Sequence, residues 1–251
     1  MIVGGTVSGY DGILETEIFD IQSNINVTSS FGDIQSGRRD AVGGLIGTTP
    51  ILCGGYRFPV EYADEYPDEY PDDPDDLVYD SCLTLKDSKW TQTHQMTTKR
   101  ANAASVQINS STLWILGGHS GDNNNKALST SEFVRFDSTV GIPGPPLPYG
   151  VKEFCAVKYS TDKIFVIGGY GYSSTGRWSN GVLKKVLIFN PNNFNYTEGP
   201  NLITPRAYHT CALMSNGHQS KIVVATEWSS RSVEIFDPVL NVWIQGEEKL
   251  F

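Results

Sequence analysis

The stretch "TLWILGG", residues 112–118, decides the fold: four apolar residues run straight into a pair of glycines. One copy would be a strand ending in a turn. The chain also reads "MIVGG" at 1–5, "PILCGG" at 50–55 and "IFVIGG" at 164–169, with a worn version, "KIVVAT", at 221–226. The first glycines fall at 4, 54, 117 and 168, and Ala225 takes their place in the fifth copy, giving spacings of 50, 63, 51 and 57. The long interval contains the acidic segment 61–76. A period of this size is the mark of a propeller, solenoid or array.

Each unit has four parts in fixed order. A basic residue opens an alternating segment: Arg39 before "DAVGGLI", Arg100 before "ANAASVQI", Lys152 before "EFCAVKY" and Arg206 before "AYHTCALM". The apolar run with its glycine doublet follows, Gly54–Gly55, Gly117–Gly118 and Gly168–Gly169 being the clear cases. A variable loop leads to a third segment: "TEIFDI", "DSCLTL", "SEFVRFD", "KKVLIFN" or "SVEIFDP". An aromatic residue often comes next, at Trp90, Tyr196 and Trp243. Segments this short, bounded by Gly, Asn, Asp and Pro and without helical periodicity, predict an all-β chain.

Glycine doublet, downstream Tyr/Phe-Asp, Trp and opening Arg together resemble the kelch motif, over nearly the whole chain. The third unit departs from it, with "GIPGPPLP" where the aromatic belongs, and the fifth lacks the glycines. The resemblance implies a kelch-type β-propeller of four-stranded antiparallel blades. The apolar run is then a blade's second strand, buried on both faces and so continuously apolar. The glycines end it where the backbone must turn at positive φ beside its neighbour. The later Trp packs between adjacent blades. Units are expected at 1–37 (a partial blade), 38–97, 98–148, 149–204 and 205–251. The first lacks its innermost strand, so the chain is read either as a fragment of a six- or seven-bladed propeller or as an irregular five-bladed ring. The fragment is favoured, with sequence expected before Met1.

The net charge of −9 comes from one place. Residues 61–80 hold ten acids and no base, which leaves 18 acids against 19 bases elsewhere and excludes a general nucleic-acid surface. "EYADEYPDEYPDDPDD" at 61–76 reads as a solvated, disordered insert, without the spacing of a calcium loop. No apolar run approaches a membrane span. Residues 1–12 show no basic start or apolar core of a signal peptide. Sequons at Asn26, Asn109 and Asn195 and an even four cysteines agree with an extracellular setting, favoured if the chain belongs to a longer protein. Cys53 and Cys82, on neighbouring strands, are the preferred disulfide. Cys155 and Cys211, on adjacent innermost strands, are the less favoured one.

Some kelch-type propellers are copper-radical oxidases, which need a cysteine-linked tyrosine and two histidines. Of the four histidines, at 94, 119, 209 and 218, only His119 and His209 are placed on one face. We assign no catalytic residues, no metal and no cofactor. "GGYGYSSTG" at 168–176 precedes no helix and is not a nucleotide cradle. A binding face remains. Innermost strands begin, and second strands end, at one end of the propeller. That face would carry Arg39, Arg100, Lys152 and Arg206, with Tyr56, His119, Tyr170, Trp178 and Trp228 in its loops. The competing reading makes these arginines interblade braces. The expected function is non-catalytic binding of a protein partner, an acidic peptide or a glycan. The alternative is a carbohydrate-active enzyme, an oxidase or sugar isomerase.

Overall fold

The computed structural model describes residues 34, 37–57, 78–121, 126–172, 181–215, 217, 219–227 and 230–246, and before them the strand segments 2–3, 6–7, 11–12, 16–20 and 25–27. Among these residues every regular element is a strand, and none is a helix. Four sheets repeat one plan. Each is a four-stranded antiparallel meander whose spatial order follows the chain.

We number the sheets by unit. The second holds Val42–Ile46, Thr49–Cys53, Ser81–Lys86 and Lys89–Gln95. The third holds Ala104–Asn109, Thr112–Leu116, Ser131–Arg135 and Ile142–Pro143. The fourth holds Cys155–Ser160, Lys163–Ile167, Val186–Asn190 and Asn195–Glu198. The fifth holds Thr210–Ser215, Ser220–Glu227, Ser230–Asp237 and Val242–Gln245. A first sheet has three strands, Ile2–Val3, Thr16–Asp20 and Ile25–Val27. The "GIPGPPLP" stretch gives the third sheet a last strand of only two residues, because proline supplies no amide to a ladder.

The second to fifth sheets stack face to face in sequence order, with first strands beside first strands. Strand alternation then decides which neighbour each residue meets. Leu113 and Ile115 pack into the second sheet, among Val42, Ile51 and Cys53. Trp114 and Leu116 point the other way, among Ile164, Val166 and Phe189 of the fourth. All four are essentially inaccessible to solvent. Burying a side chain of this size contributes about 1.5–3 kcal/mol, so a run apolar on both faces holds two seams at once. In the same way Phe165 and Ile167 join Ile222, Val224, Phe236 and Trp243 between the fourth and fifth sheets. The Trp243 indole donates to the Pro200 carbonyl at 2.8 Å, tying the last strand of one sheet to the connection before it. Trp90 is buried with Leu52, Leu83 and Leu85 on the second sheet's other face.

The doublets are the hinges of these seams. Gly54, Gly117 and Gly168 have φ of 67°, 63° and 60°. A Cβ on them would lie 2.2, 2.5 and 2.7 Å from the carbonyls of Arg100, Val151 and Arg206, which open the next unit. The second glycine of each pair donates its amide to that same carbonyl, at 2.8, 2.9 and 2.7 Å. In the fifth unit the register moves the doublet's counterpart. Val224 pairs with Glu234 as Ile115 pairs with Glu132, so Thr226–Glu227, not Ala225, stand where the glycines would.

Both disulfides are formed, the less favoured pair included. Cys53–Cys82 joins directly opposed residues of one sheet, with Cα atoms 4.0 Å apart. Cys155–Cys211 crosses the seam between the first strands of the fourth and fifth sheets, 6.0 Å apart. The acidic insert, Gly4, Trp178 and Trp228 lie outside the described residues.

Candidate functional site

The opening residues of the units fall into two classes, and the sequence reading merged them. Aligned on the seam carbonyls, equivalent positions are Arg38, Arg100, Val151 and Arg206. The basic residues expected at 39 and 152 therefore stand one place later than those at 100 and 206. Arg100 and Arg206 do not reach the face: 2% and 0% of their surfaces are exposed. Arg100 donates through Nε to Glu132 at 3.0 Å and through Nη1 to the carbonyls of Gly117 and Thr130; Nη2 reaches the Thr130 hydroxyl. Arg206 repeats this with Glu234 at 3.1 Å and with both the carbonyl and the hydroxyl of Ser232. Each glutamate also accepts from the preceding connection, Glu132 from the Thr97 amide and Glu234 from those of Ile203 and Thr204. These arginines are buried braces, but their side chains bond within their own units and not between neighbouring blades as the competing reading had it. A buried ion pair of this kind is tolerated because every charge is bonded.

The other two units show what replaces the pair. In the fourth, Val151 and Leu187 take the positions of arginine and glutamate and share one apolar cluster. In the second, Arg38 holds the Gly54 carbonyl and both the carbonyl and the hydroxyl of Ser81, but Leu83 stands where the glutamate would. Its Nε has no hydrogen-bond partner and its ring-side neighbour is Tyr79, 4.0 Å from the guanidinium carbon. Burial lowers its pKa to about 10, against the raising fields of Tyr79 and Asp80.

The residues gathered at this end of the stacked sheets come one and two places after the brace. At the first of these positions stand Arg39, Ala101, Lys152 and Ala207. At the second stand Asp40, Asn102, Glu153 and Tyr208, all four with left-handed backbone at φ of 56°, 53°, 58° and 55°. Such a conformation is uncommon for Glu and Tyr. A chain of backbone bonds holds it: Asn102 donates to Asp40 at 3.0 Å, Glu153 to Asn102 at 2.9 Å and Tyr208 to Glu153 at 2.9 Å. The residues just after the doublets, Tyr56, His119 and Tyr170, pair with Arg39, Ala101 and Lys152 in short antiparallel ladders or bridges.

This end of the stack is thus of mixed charge, not basic. Arg39 lies 3.6 Å from Asp40, and Lys152 lies 3.2 Å from Glu153. Both cations also sit over tyrosine rings, Arg39 over Tyr56 at 4.8 Å and Lys152 over Tyr170 at 5.9 Å. Burial, opposed by Arg39 and aided by Glu153, raises the Asp40 carboxyl. Burial pushes the Tyr56 phenol up to about 12, with Arg39 opposing and Asp40 and Glu153 adding to it. Tyr208, 55% exposed, is raised by burial first and then by Glu153, Asp40 and Tyr56. His119 is fully buried; its Nδ1 accepts from the Gly121 amide, so a neutral ring carries its proton on Nε2, which donates to the Tyr56 oxygen at 2.5 Å. Two carboxyls, three tyrosines, a histidine and two cations therefore meet at one end of the stack.

His209 does not share this cluster as expected for a residue facing His119. It covers the seam over Gly168, as Phe154 covers Gly117 one unit earlier. Neither of its ring nitrogens has a partner, and burial, then the Arg206 charge, pushes its pKa down to about 4. Sequon residues Asn109 and Asn195 are exposed at the ends of strands; Asn26 lies on Ile25–Val27, its side chain outside the described set. Among the described residues no helix is long and apolar enough to cross a membrane.

No protein-family model matches the chain, and no curated protein does. Solved structures do. One of them, "Structure of YjhT", matches with a TM-score of 0.70 at 13% identity, covering 98% of this chain and 80% of that one. At that identity the likeness is one of fold: the chain is an all-β protein built of repeated four-stranded antiparallel units.

Proposed function

We propose that the chain is a kelch-type β-propeller, partial or irregular, that acts as a non-catalytic binding module. Its ligand is a segment of a partner protein that presents both charges, held at the mouth by Asp40, Tyr56, Glu153 and Tyr208, with Arg39 and Lys152 at the rim. One observation carries the reading. The brace positions carry only arginine or valine, with glutamate or leucine across the sheet, whereas the positions two residues later carry four different side chains, Asp, Asn, Glu and Tyr. Left-handed backbone at a bulky residue costs about 1–3 kcal/mol and gathers at functional sites. Tyrosine and arginine gathered at one end of the stacked sheets are also what protein recognition uses. The test is selection of binders from a displayed extracellular-protein library, followed by rebinding to Glu153→Gln and Tyr208→Ala. Binders that ignore both variants would contradict the assignment.

A second reading, a carbohydrate-active enzyme, draws on the raised Asp40 carboxyl and the Tyr56–His119 pair, since perturbed titrating groups gather at reacting centres. Sugar oxidation and anomer-interconversion assays on the purified chain separate the two: turnover abolished by Asp40→Asn would favour this one.

A further inference from the structure

Two of the three N-x-[ST] sequons lie wholly among the described residues, and the charged cluster uses neither. In the third unit Asn109 closes the strand Ala104–Asn109 and pairs with Thr112 across a two-residue turn. Its Oδ1 accepts from the Ser111 amide at 2.9 Å and from the Ser111 hydroxyl at 3.0 Å. The Nδ2 nitrogen takes no part in this turn, and Asn109, Ser110 and Ser111 are all exposed. In the fourth unit Asn195 opens the strand Asn195–Glu198, opposite Asn190. Tyr196 turns onto Phe189, with ring centroids 4.8 Å apart, so alternation turns Asn195 and Thr197 outward, where both are exposed. Asn26 stands one residue from the corresponding hairpin of the first sheet, where Ile25 pairs with Asp20.

A second observation singles out the same two turns. Among the described side chains two phenylalanines are exposed, and each flanks a sequon. Phe194, 55% exposed and with left-handed backbone at φ 58°, immediately precedes Asn195. Phe136, 66% exposed, donates its amide to the Ser111 carbonyl at 3.0 Å. The others, at 133, 154, 165, 189 and 236, are buried or half-buried. A pyranose presents an apolar C–H face, and the face of an aromatic ring carries the negative lobe of its quadrupole. A sugar on Nδ2 suits an uncovered ring of this kind.

Both turns lie away from the glycine doublets. The ladder that ends at Asn109 and Thr112 begins at Ala104 and Leu116, and the strand that ends at Asn190 begins beside Gly168. At about 3.4 Å per residue, the strand Ala104–Asn109 sets its sequon roughly 17 Å beyond the end that gathers Asp40, Glu153 and Tyr208.

We infer that Asn109 and Asn195 carry N-linked glycans, whose first sugars cover Phe136 and Phe194 at the end of the stack opposite the charged cluster. The two disulfides belong to an oxidising compartment, which is also where such sequons are modified. The co-reactant is a lipid-diphosphate-linked oligosaccharide. Nδ2 bonds to its anomeric carbon and loses one proton; the carbon–oxygen bond to the diphosphate breaks, and the lipid diphosphate leaves with the electron pair. The inference does not depend on what the charged cluster binds.

The test is the chain secreted from animal cells behind a cleavable leader. Enzymatic release of the glycans in heavy-oxygen water leaves a labelled aspartate at each occupied site, which peptide mapping reads. Label at both Asn109 and Asn195 is expected; its absence from either site overturns the inference. Translation into microsomes reads occupancy without a folded product: the gel shift should be lost stepwise in Asn109→Gln and Asn195→Gln, and a shift unchanged by either variant overturns it too. The ring contacts are read by Tm. Asn195→Gln should lower Tm by about 2–4 °C, and in a Phe194→Ser background it should lower it no further; Asn109→Gln and Phe136→Ser should behave alike. Asparagine variants that melt with the glycosylated wild type would overturn the covering of the rings.

Discussion

Replacing Arg206 by alanine should damage the protein as a brace and not as a contact residue. The substitution leaves Glu234 with no exposed side-chain surface and no cation. Removing one partner of a buried pair costs about 3–5 kcal/mol. In a domain of this size each kcal/mol moves Tm by about 2–4 °C, so a fall of roughly 6–20 °C is expected. The fourth unit supplies the rescue, because Val151 and Leu187 already fill these positions without charge. Arg206→Val with Glu234→Leu should therefore recover about half of the loss or more. Full recovery is not expected, since the amides of Ile203 and Thr204 lose their acceptor. Urea unfolding of wild type, both single variants and the double variant gives the coupling energy directly. About 2–3 kcal/mol is predicted, at the strong end for contacting residues. Additivity within about 0.5 kcal/mol would refute the brace.

Three further outcomes follow from the seams. Gly117→Ala should destabilise by more than the roughly 1–2 kcal/mol of a left-handed alanine, because its Cβ would also press on the Val151 carbonyl; Gly181→Ala, with nothing within 4 Å, should be near neutral in the same thermal melt. His209 is held neutral in the fold, with a pKa near 4 against 6.5 unfolded, so its protonation favours the unfolded state: its contribution is intact above about pH 6.5 and is lost progressively as pH falls toward 4. His209→Phe, copying Phe154, should remove up to about 3 kcal/mol of acid sensitivity, read as a flatter plot of unfolding free energy between pH 7 and 4. Breaking Cys155–Cys211 opens a loop of 56 residues and should cost about 4 kcal/mol by chain entropy, whereas a double-serine variant melting with the wild type would show the bridge to be incidental.

The glycine doublets were legible because a backbone that must take positive φ beside a neighbour's carbonyl writes itself as glycine. The second strands were legible because burial on both faces removes the polar alternation. Where the chain substitutes another residue, the signal fades: Thr226–Glu227 occupy the fifth doublet's place, and the apolar "VVA" just before, at 223–225, misled the register by one. The braces were misplaced for a similar reason. "RRD", "RAN", "VKE" and "RAY" are equivalent triplets, but charge alone picks the second residue of the first and third and the first residue of the others. Reading Val151 as an arginine's counterpart needs its partner, Leu187, in place of a glutamate, and that pairing lies across a sheet. Asp40, Asn102, Glu153 and Tyr208 were missed because their common feature is a backbone angle and not a side-chain type. The signal available was position: each stands two residues after the brace and two before the alternating strand.

The most direct test of the mouth as the binding site is to measure partner affinity and Tm together on Glu153→Gln. Glu153 is buried at the mouth, bonds to Lys152, and bears on Asp40 and Tyr208. The account predicts affinity reduced at least tenfold with Tm lowered by only a few degrees. Unchanged affinity in a folded Glu153→Gln chain would contradict it.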